Sequence, residues 1–561
     1  MLSQLNSEQK KWVDSTLDSM SIQNCIGHML MPLHPFNRLS TDFQAVQSTT
    51  TDDWLRLLEK IPLGGIFIIR PPSNECREML TKIQSESNIP VIIADNVELG
   101  ASPRGLIGFG NDELNEPIYS SFAPNLMGFS AANIPDWTFE ACKKIALQRR
   151  SYGYHWAFSP VVDLNLNFRN PITNVRSFGD DVEKVISHAN SFINGFQYQN
   201  SMAATAKHFP GDGIDDRDQH FLTTNNSLSV SKWWKSYGKV WKSVIDEGVN
   251  AIMPGHIAFP AYESSLGNPD ISMPASLSPN IQIKLLREEL GFQGVVISDA
   301  SSMAGITSRV SPEDRAVSNI EAGVDICLFP ETHSDFKLIE RAVINGRLSE
   351  DRIRESAKRI LELKARLNLN SSTFTLNQTS SNEPSATKTI QQIADKSITL
   401  LKPNEIPIPP LSNGEKVLFV NIFAQGPFSN GNLQTAIKTL NSSGVAVDIL
   451  ENPTNSDLME KIHNYDAIFV NICYIPINGS FGHLGAGFGQ FMWTNIHMYR
   501  NRVTYTCFGT PYVMHELPFA PNMLLAFGSS ESVQIAISKV WLGEISPTGE
   551  LPVQQPSHIN L

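Results

Sequence analysis

The segment MAATAKHFPGDGIDDRDQH, residues 202–220, joins an apolar run to a loop that is dense in ionisable side chains. The run ends in Lys207 and His208, and the proline and glycines that follow favour a turn. The segment closes with Asp218 and His220, and a carboxylate at this spacing can hold a histidine ring in one tautomer and raise its basicity. We therefore predict a buried strand followed by a loop that carries a histidine general acid or base.

Seven further short apolar runs accompany this one, and stretches of helical length separate many of them. The eight runs are 26–31, 65–69, 90–94, 156–162, 203–206, 251–253, 295–297 and 325–329. Strands that alternate with helices are typical of parallel β-α units, and eight such units predict a closed (β/α)8 barrel of the TIM type. The predicted fold class is therefore α/β.

Ionisable side chains stand at or just beyond the carboxyl ends of six of these runs. They are Arg70, Asp95, Asp163, the Lys207–His208 pair, His256 and Asp299. In a parallel barrel all of these ends share one face, which is where substrates bind. Polar residues that simply begin loops would explain only some of them, so the full set favours an active face.

A second unit follows a stretch rich in serine, threonine and asparagine, which is typical of a linker or an extended surface crossing. We predict a catalytic barrel over residues 1–368, a linker over 369–389 and a C-terminal α/β sandwich domain over 390–561. Its predicted strands are the apolar runs 417–423, 445–450, 467–473, 503–508 and 523–527. The glycine-rich segment 479–489 fits neither a dinucleotide fingerprint nor a P-loop, so we expect a loop there.

The composition argues against several classes of protein. A net charge of −12 disfavours nucleic acid as a partner, because phosphate binding needs clustered lysine and arginine. No apolar run approaches the ~20 residues of a membrane helix, and residues 1–14 lack the apolar core of a signal peptide. We expect a cytoplasmic protein with no membrane partner, although a chain trimmed of a secretory signal would look the same. The oligomeric state stays open.

Cysteine and histidine spacing indicates neither disulfides nor metal. The six cysteines are scattered and mostly lie in apolar segments, so we expect buried thiols. The thirteen histidines form no His-x-x-x-His pair and no cluster with cysteine. We therefore predict no metal site and no cofactor.

Three strand-end or loop residues could carry chemistry or bind a polar substrate. Asp299 ends a fully apolar strand, and such a rigidly mounted carboxylate suits a nucleophile, although a helix N-cap is the alternative. Asp95 ends its run in the same way and could accept hydrogen bonds from sugar hydroxyl groups. Arg176 could clamp a polar substrate or form a plain salt bridge with Asp180 or Asp181.

A carboxylate nucleophile with a separate acid/base group describes a retaining glycosidase. The acid/base group is usually a carboxylic acid, but no carboxylate here is a strong candidate. His220, backed by Asp218, is the better one. His256 is as compatible with a structural role as with contact to a ligand.

These motifs, in this order along most of the chain, resemble glycoside hydrolase family 3 in its β-N-acetylglucosaminidase branch. The resemblance begins with the Lys-His-Phe-Pro-Gly loop at 207–211 and the Asp-x-His dyad at 218–220. Its other segments are Phe158–Asp163, Arg176–Gly179, Leu286–Asp299, Ala322–Asp325 and Pro547–Val553.

The resemblance implies an exo-acting enzyme that releases terminal β-linked N-acetylglucosamine with retention and without a metal. Asp299 would form the covalent glycosyl intermediate, His220 would be the acid/base and Asp218 would orient it. The resemblance assigns the small carbohydrate substrate to Asp95, Arg176, Lys207 and His208. His256 is a further substrate-binding candidate from its place at a strand end.

The chain departs from the branch in the loop, in the dyad and in the motif after Asp95. Asp212 stands where the branch often has histidine, and Gln219 stands inside the dyad where it often has serine or threonine. The acidic-Gly-Gly motif after Asp95 is also altered, which makes transfer of Arg104 as a sugar ligand unsafe.

Three alternative functions stay open. A phosphorylase is one, because a histidine acid/base repels a phosphate anion less than a carboxylate does. A β-glucosidase and a catalytically inactive sugar-binding barrel are the others. The natural aglycone, from murein, chitin or glycoprotein fragments, is not fixed by the sequence.

Overall fold

The structure, a computed structural model, describes residues 2–34, 50–68, 74–98, 123–370, 385–401, 408, 410–423, 433–476 and 496–556. Arg70, Arg104 and the glycine-rich segment 479–489 lie outside the described residues. Most of the predicted linker, residues 371–384, also lies outside them, so the division of the chain at 369–389 stays a prediction.

Parallel strands form a barrel in the N-terminal unit. The strands of this unit are β1 (Leu30–Met31), β2 (Leu33–His34), β3 (Gly65–Ile68), β4 (Ile92–Asp95), β5 (Trp156–Ala157), β6 (Ala203–Phe209), β7 (Thr224–Asn225), β8 (Ala251–Pro254), β9 (Ile257–Ala258), β10 (Val295–Val296) and β11 (Cys327–Leu328). One parallel sheet runs β2-β3-β4-β5-β6-β8-β10. β1 leads into β2 and pairs with β11, and a parallel bridge from Ile297 to Ile326 connects β10 to β11, so the ladder closes.

Helices separate most of these strands. They are α1 (Ser7–Ser19), α2 (Ile22–His28), α3 (Thr51–Lys60), α4 (Asn74–Glu86), α5 (Leu126–Ala132), α6 (Pro135–Ser151), α7 (Val182–Phe196), α8 (Val230–Lys235), α9 (Tyr237–Glu247), α10 (Pro260–Ser265), α11 (Ala304–Thr307), α12 (Pro312–Ala322), α13 (Thr332–Ile344) and α14 (Glu350–Arg366), with a π-helix at Asn280–Glu289. None of them, nor any other helix of the described residues, is both long and apolar enough to cross a membrane.

All eight predicted runs contribute to barrel strands, and the α/β fold class is confirmed. Two runs differ in detail from the prediction. Helix α2 occupies the first half of run 26–31, because Ser21 accepts a hydrogen bond from the Asn24 backbone N–H at 3.1 Å and caps a helix there. In run 156–162 the strand ends after two residues, and Pro160 has no N–H to donate to a neighbouring strand.

The C-terminal unit is built on a second sheet. Its strands are β12 (Thr399–Leu401), β13 (Lys416–Phe423), β14 (Ala446–Glu451), β15 (Ala467–Cys473), β16 (Val503–Cys507) and β17 (Met523–Leu525). The order is β12-β17-β16-β15-β13-β14, parallel except for the edge strand β12. The five predicted runs supply β13–β17, whereas β12 was not predicted. Its helices are α15 (Thr387–Ser397), α16 (Gln434–Ser442), α17 (Asn455–Lys461) and α18 (Glu531–Trp541).

Both faces of this second sheet are buried along β13, β15, β16 and β17, whereas the edge strand β14 is largely exposed. Alternate residues of β15 point to opposite faces: Ile468 and Val470 join one apolar cluster, and Phe469 joins the other. One cluster includes α16 and α18 residues, and the other includes Met127 and Val175 of the N-terminal unit. The barrel therefore covers one face of the second sheet, as expected for a sandwich.

The end of the C-terminal unit also contacts the barrel through its backbone. Asp180 N–H donates to the Pro552 carbonyl at 3.2 Å, and Gln554 N–H donates to the Asp180 carboxylate at 2.7 Å. A Cβ on Gly179, whose φ is +134°, would stand 2.2 Å from the Pro552 carbonyl oxygen. Only glycine fits this approach.

Candidate active site

A cavity of about 140 Å³ opens among the carboxyl ends of the barrel strands. Its ionisable lining residues are Asp299, His220, Arg176, Lys207 and His208, and its aromatic ones are Phe67, Phe158 and Phe329. The structure therefore brings five of the eight predicted site residues into one cavity. Asp218 lies beside the cavity as a partner of His220, and Asp95 and His256 lie behind it.

Asp299 follows strand β10 at the cavity wall. Its carboxylate accepts a hydrogen bond from the Ala300 backbone N–H at 2.7 Å. Burial alone would raise the pKa of Asp299, but the nearby His208 and His256 rings and this N–H lower it below the usual value. The carboxylate is therefore ionised near neutral pH, as a nucleophile must be.

His220 is held by its neighbour two residues back in the chain. The ring Nδ1 lies 2.7 Å from the Asp218 carboxylate, which also accepts the His220 backbone N–H at 2.8 Å. The Nδ1–H therefore donates to Asp218, and Nε2 is left for proton exchange. About 34% of the His220 side chain is exposed, so an outside group can reach it.

The loop that precedes His220 is fixed by Asp212. The Asp212 carboxylate accepts hydrogen bonds from the Asn170 amide at 2.8 Å and from the Gln219 amide at 3.2 Å. Gln219 in turn accepts the His256 backbone N–H at 2.8 Å. Burial and the nearby Asp163 carboxylate raise the pKa of Asp212 to about 6. Asp212 and Gln219, which both differ from the usual residues of the family branch, therefore bond to each other.

The Asp163 carboxylate orients the His208 ring, although the sequence predicted only that Asp163 stands at a strand end. Asp163 accepts the His208 ring Nδ1–H at 2.8 Å, the His208 backbone N–H at 3.1 Å and the Asp212 backbone N–H at 2.7 Å. The second ring nitrogen of His208, which lines the cavity, can then accept or donate a hydrogen bond to a ligand.

A buried ion cluster forms another wall. Glu98 accepts two hydrogen bonds from the Arg176 guanidinium, at 2.9 and 3.0 Å, and its oxygen lies 2.6 Å from the Lys207 ammonium. Arg176 thus pairs with Glu98 and not with Asp180 or Asp181, the alternatives considered from the sequence. Sequence reasoning missed Glu98, and its only signal is an acidic residue three positions after a strand-end aspartate.

The side chains of Asp95 and His256 contact other protein groups and do not line the cavity. Asp95 is fully buried and lies 3.1 Å from the Arg149 guanidinium, and burial raises its pKa to about 6. The His256 Nε2–H donates to the Ala300 carbonyl at 3.1 Å, and its Nδ1 lies 2.8 Å from the Ser276 hydroxyl. Their contact with a sugar stays a prediction, whereas their structural roles are visible.

Comparison with known proteins adds the following. The model of the glycosyl hydrolase family 3 N-terminal domain matches residues 41–363. The chain is 29% identical to a β-N-acetylglucosaminidase/β-glucosidase of Cellulomonas fimi, over 98% of this chain and 96% of the relative. A family 3 β-N-acetylglucosaminidase from Paenibacillus sp. str. FPU-7 has a similar structure, with a TM-score of 0.78 and 24% identity. The match covers 97% of this chain and 100% of the Paenibacillus chain. The structure of a β-glucoside phosphorylase bound to 2FGlc is also similar, with a TM-score of 0.82 and 24% identity. That match covers 98% of this chain and 97% of the phosphorylase.

Proposed function

Because the chain belongs to glycosyl hydrolase family 3, we propose that it is a retaining exo-β-N-acetylglucosaminidase. The observation that carries the proposal is the placement of Asp299 and His220 on one cavity, the first ionised and the second backed by a carboxylate. The names of the Cellulomonas fimi and Paenibacillus relatives support the choice of sugar.

In the first step the Asp299 carboxylate attacks the anomeric carbon. The bond to the leaving oxygen breaks, and protonated His220 donates its Nε2–H to that oxygen. Asp218 stabilises the imidazolium and keeps Nδ1 protonated, so the proton is given up from the other nitrogen. The product of this step is a glycosyl ester on Asp299.

In the second step His220, now neutral, accepts a proton from a water molecule. The water attacks the anomeric carbon, and the ester bond to Asp299 breaks with return of the carboxylate. Two displacements at one carbon restore its configuration, so the sugar is released with retention. Arg176, Lys207 and His208 would hold the hydroxyl groups of the sugar in both steps.

Turnover of an aryl β-N-acetylglucosaminide tests the proposal. We expect release of the aryl alcohol between pH 5 and 8, and accumulation of a covalent adduct on Asp299 with a 2-fluoro or 5-fluoro glycosyl fluoride. The Asp299→Asn variant should show neither. No release from the aryl substrate in any buffer, with or without phosphate, would refute the proposed sugar specificity.

Phosphorolysis is the second candidate, and one observation favours it. The acid/base group is an imidazole, which adds no negative charge where a phosphate would attack. The similar fold of a β-glucoside phosphorylase shows that this architecture accommodates such a reaction in another protein. Formation of a sugar 1-phosphate in phosphate buffer, and its absence in other buffers, would distinguish phosphorolysis from hydrolysis.

A cytoplasmic location is also part of the proposal. All six cysteines are buried thiols and none takes part in a disulfide, as predicted. Fractionation of the source cells would test the location directly, and recovery of the protein outside the cytoplasm would contradict it.

A further inference from the structure

Glu98 stands directly behind the cavity and contacts both of the cations on one wall. The residue is 2% exposed. One carboxylate oxygen is shared by the Lys207 ammonium at 2.6 Å and an Arg176 N–H at 2.9 Å, and the other oxygen accepts a second Arg176 N–H at 3.0 Å. Both cations line the cavity, whereas Glu98 is not among the lining residues.

The charges explain why the two cations need this partner. Burial lowers the pKa of Lys207, and the Arg176 charge lowers it further, while Glu98 raises it. Two neighbouring buried cations repel each other, and a carboxylate between them removes the repulsion and fixes both directions. The same two cations hold the pKa of Glu98 at about 2 against the effect of burial.

The cations still have hydrogen-bond donors to offer a ligand. Arg176 has five N–H groups, of which Glu98 takes two and the Ile172 carbonyl takes one at 3.2 Å. Lys207 has three, of which Glu98 takes one. Among the described residues, donors therefore remain on each cation, and the bonds to Glu98 fix the direction of both side chains.

The backbone before Glu98 supports a specialised role. Val97 has a φ of +50°, a conformation that β-branched residues rarely adopt. A residue keeps such a strained backbone conformation only when the contacts around it hold it there. Strained residues of this kind cluster at functional sites. The three hydrogen bonds of Glu98 are contacts of this kind.

We propose that Glu98 is a positioning residue, which fixes the Arg176 guanidinium and the Lys207 ammonium and thereby sets which hydroxyl groups of the glycosyl unit are recognised. This inference rests on the proposed glycosidase function. It also separates two neighbouring carboxylates: Asp95 forms an ion pair with Arg149 outside the cavity lining, and Glu98 pairs with the two cavity cations.

The test compares Glu98→Gln and Glu98→Asp with the wild type. Glutamine keeps the shape but cannot satisfy two cations, whereas aspartate keeps the charge at a shorter reach. The matched control is Asp325→Asn, because Asp325 is another fully buried carboxylate that bonds to Arg287, Arg352 and Arg359 outside the cavity. The control shows what loss of a buried carboxylate does without any effect on the cavity cations.

Two readouts decide the outcome. In a crystal structure of Glu98→Gln we expect the Arg176 guanidinium to move by more than about 0.5 Å, the tolerance of a working site. In kinetics with an aryl N-acetylglucosaminide we expect kcat/KM to fall about 100-fold, since a 1 Å misplacement has that cost. The loss should shrink several-fold with an analogue that lacks the contacted ring hydroxyl, and Glu98→Asp should recover part of the activity.

Each contrary result has a distinct meaning. Unmoved cations in Glu98→Gln, or an equal loss of kcat/KM with every deoxy analogue and in Asp325→Asn, would overturn the positioning role. Absence of turnover by the wild type would instead overturn the proposed function, and the crystallographic comparison would still decide whether Glu98 positions the two cations.

Discussion

A lysine is fully buried on helix α14, and its replacement should stabilise the protein. Lys364 on helix α14 is fully buried, and its ammonium has no hydrogen-bond partner among the described residues. Burial lowers its pKa from 10.5 to about 7. The Lys364→Met variant removes the charge and keeps a side chain of nearly the same volume.

The size of the effect follows from the pKa shift. The folded-state pKa of about 7 lies roughly 3.5 units below the unfolded value of 10.5, and each unit corresponds to about 1.4 kcal/mol. Below pH 7 the unfavourable burial of the charge therefore costs about 5 kcal/mol. Because the unfolded state binds more protons between pH 7 and 10.5, the stability of the wild type rises with pH in this window.

The assay is a comparison of unfolding free energies at several pH values. Lys364→Met should exceed the wild type by about 4 kcal/mol in unfolding free energy at pH 7.5, and its advantage should shrink to about 1 kcal/mol at pH 9.5. Lys358→Met is the matched control, since Lys358 is exposed on the same helix. The difference in unfolding free energy between variant and wild type cancels the contribution of the six cysteines, because they titrate alike in both unfolded chains. An advantage that stays constant over this pH range, or no stabilisation at pH 7.5, would falsify the reasoning.

The remaining predictions concern the site. Asp299→Asn should lower kcat/KM at least about 1,000-fold without a change in Tm. Because the pKa of Asp299 is lowered, protonation of this carboxylate should not reduce the kcat/KM of the wild type until the pH falls below 3.8. His220→Ala should slow substrates with poor leaving groups by about 100-fold or more and activated aryl substrates much less; equal slowing of both would contradict its role as the acid. Asp163→Asn should lower the unfolding free energy by about 2–3 kcal/mol, because Asp163 accepts three N–H donors and asparagine cannot accept all of them; an unchanged thermal midpoint would argue against this. Glu98→Gln should lower kcat/KM in a way that depends on the substrate hydroxyl groups, as measured with deoxy analogues.

The barrel could be predicted because local pattern and topology agree. Short buried strands leave apolar runs, and the parallel arrangement places every strand-end polar group at one face. This reasoning predicted that Asp299, Lys207 and His208 share one face, and all three line the cavity. It was wrong about the first half of run 26–31, since a short apolar run does not distinguish a buried helix from a strand.

The partners of the site residues could not be predicted. Glu98 and Arg176 are 78 residues apart in the chain, and spacing of that size carries no signal. Asp95 and Asp299 both stand at the carboxyl end of a predicted strand. The Asp95 side chain, however, forms an ion pair with Arg149 of helix α6 and does not line the cavity. Which carboxylate faces the cavity depends on packing between distant elements, which is a property of the tertiary structure.

The contact between Gly179 and Pro552 links the last described residues of the chain to the segment that bears Arg176. Asp180 bonds to the same proline, and Asn165 N–H donates to the Gly179 carbonyl at 2.9 Å beneath the cavity. The contacts of Pro552 and Gln554 with the Gly179–Asp180 segment next to Arg176 therefore form only after residues near 552 have been synthesised, whereas Glu98 and Ile172 can contact Arg176 earlier. A chain cut between the two predicted units would lack the Pro552 and Gln554 contacts with the Gly179–Asp180 segment.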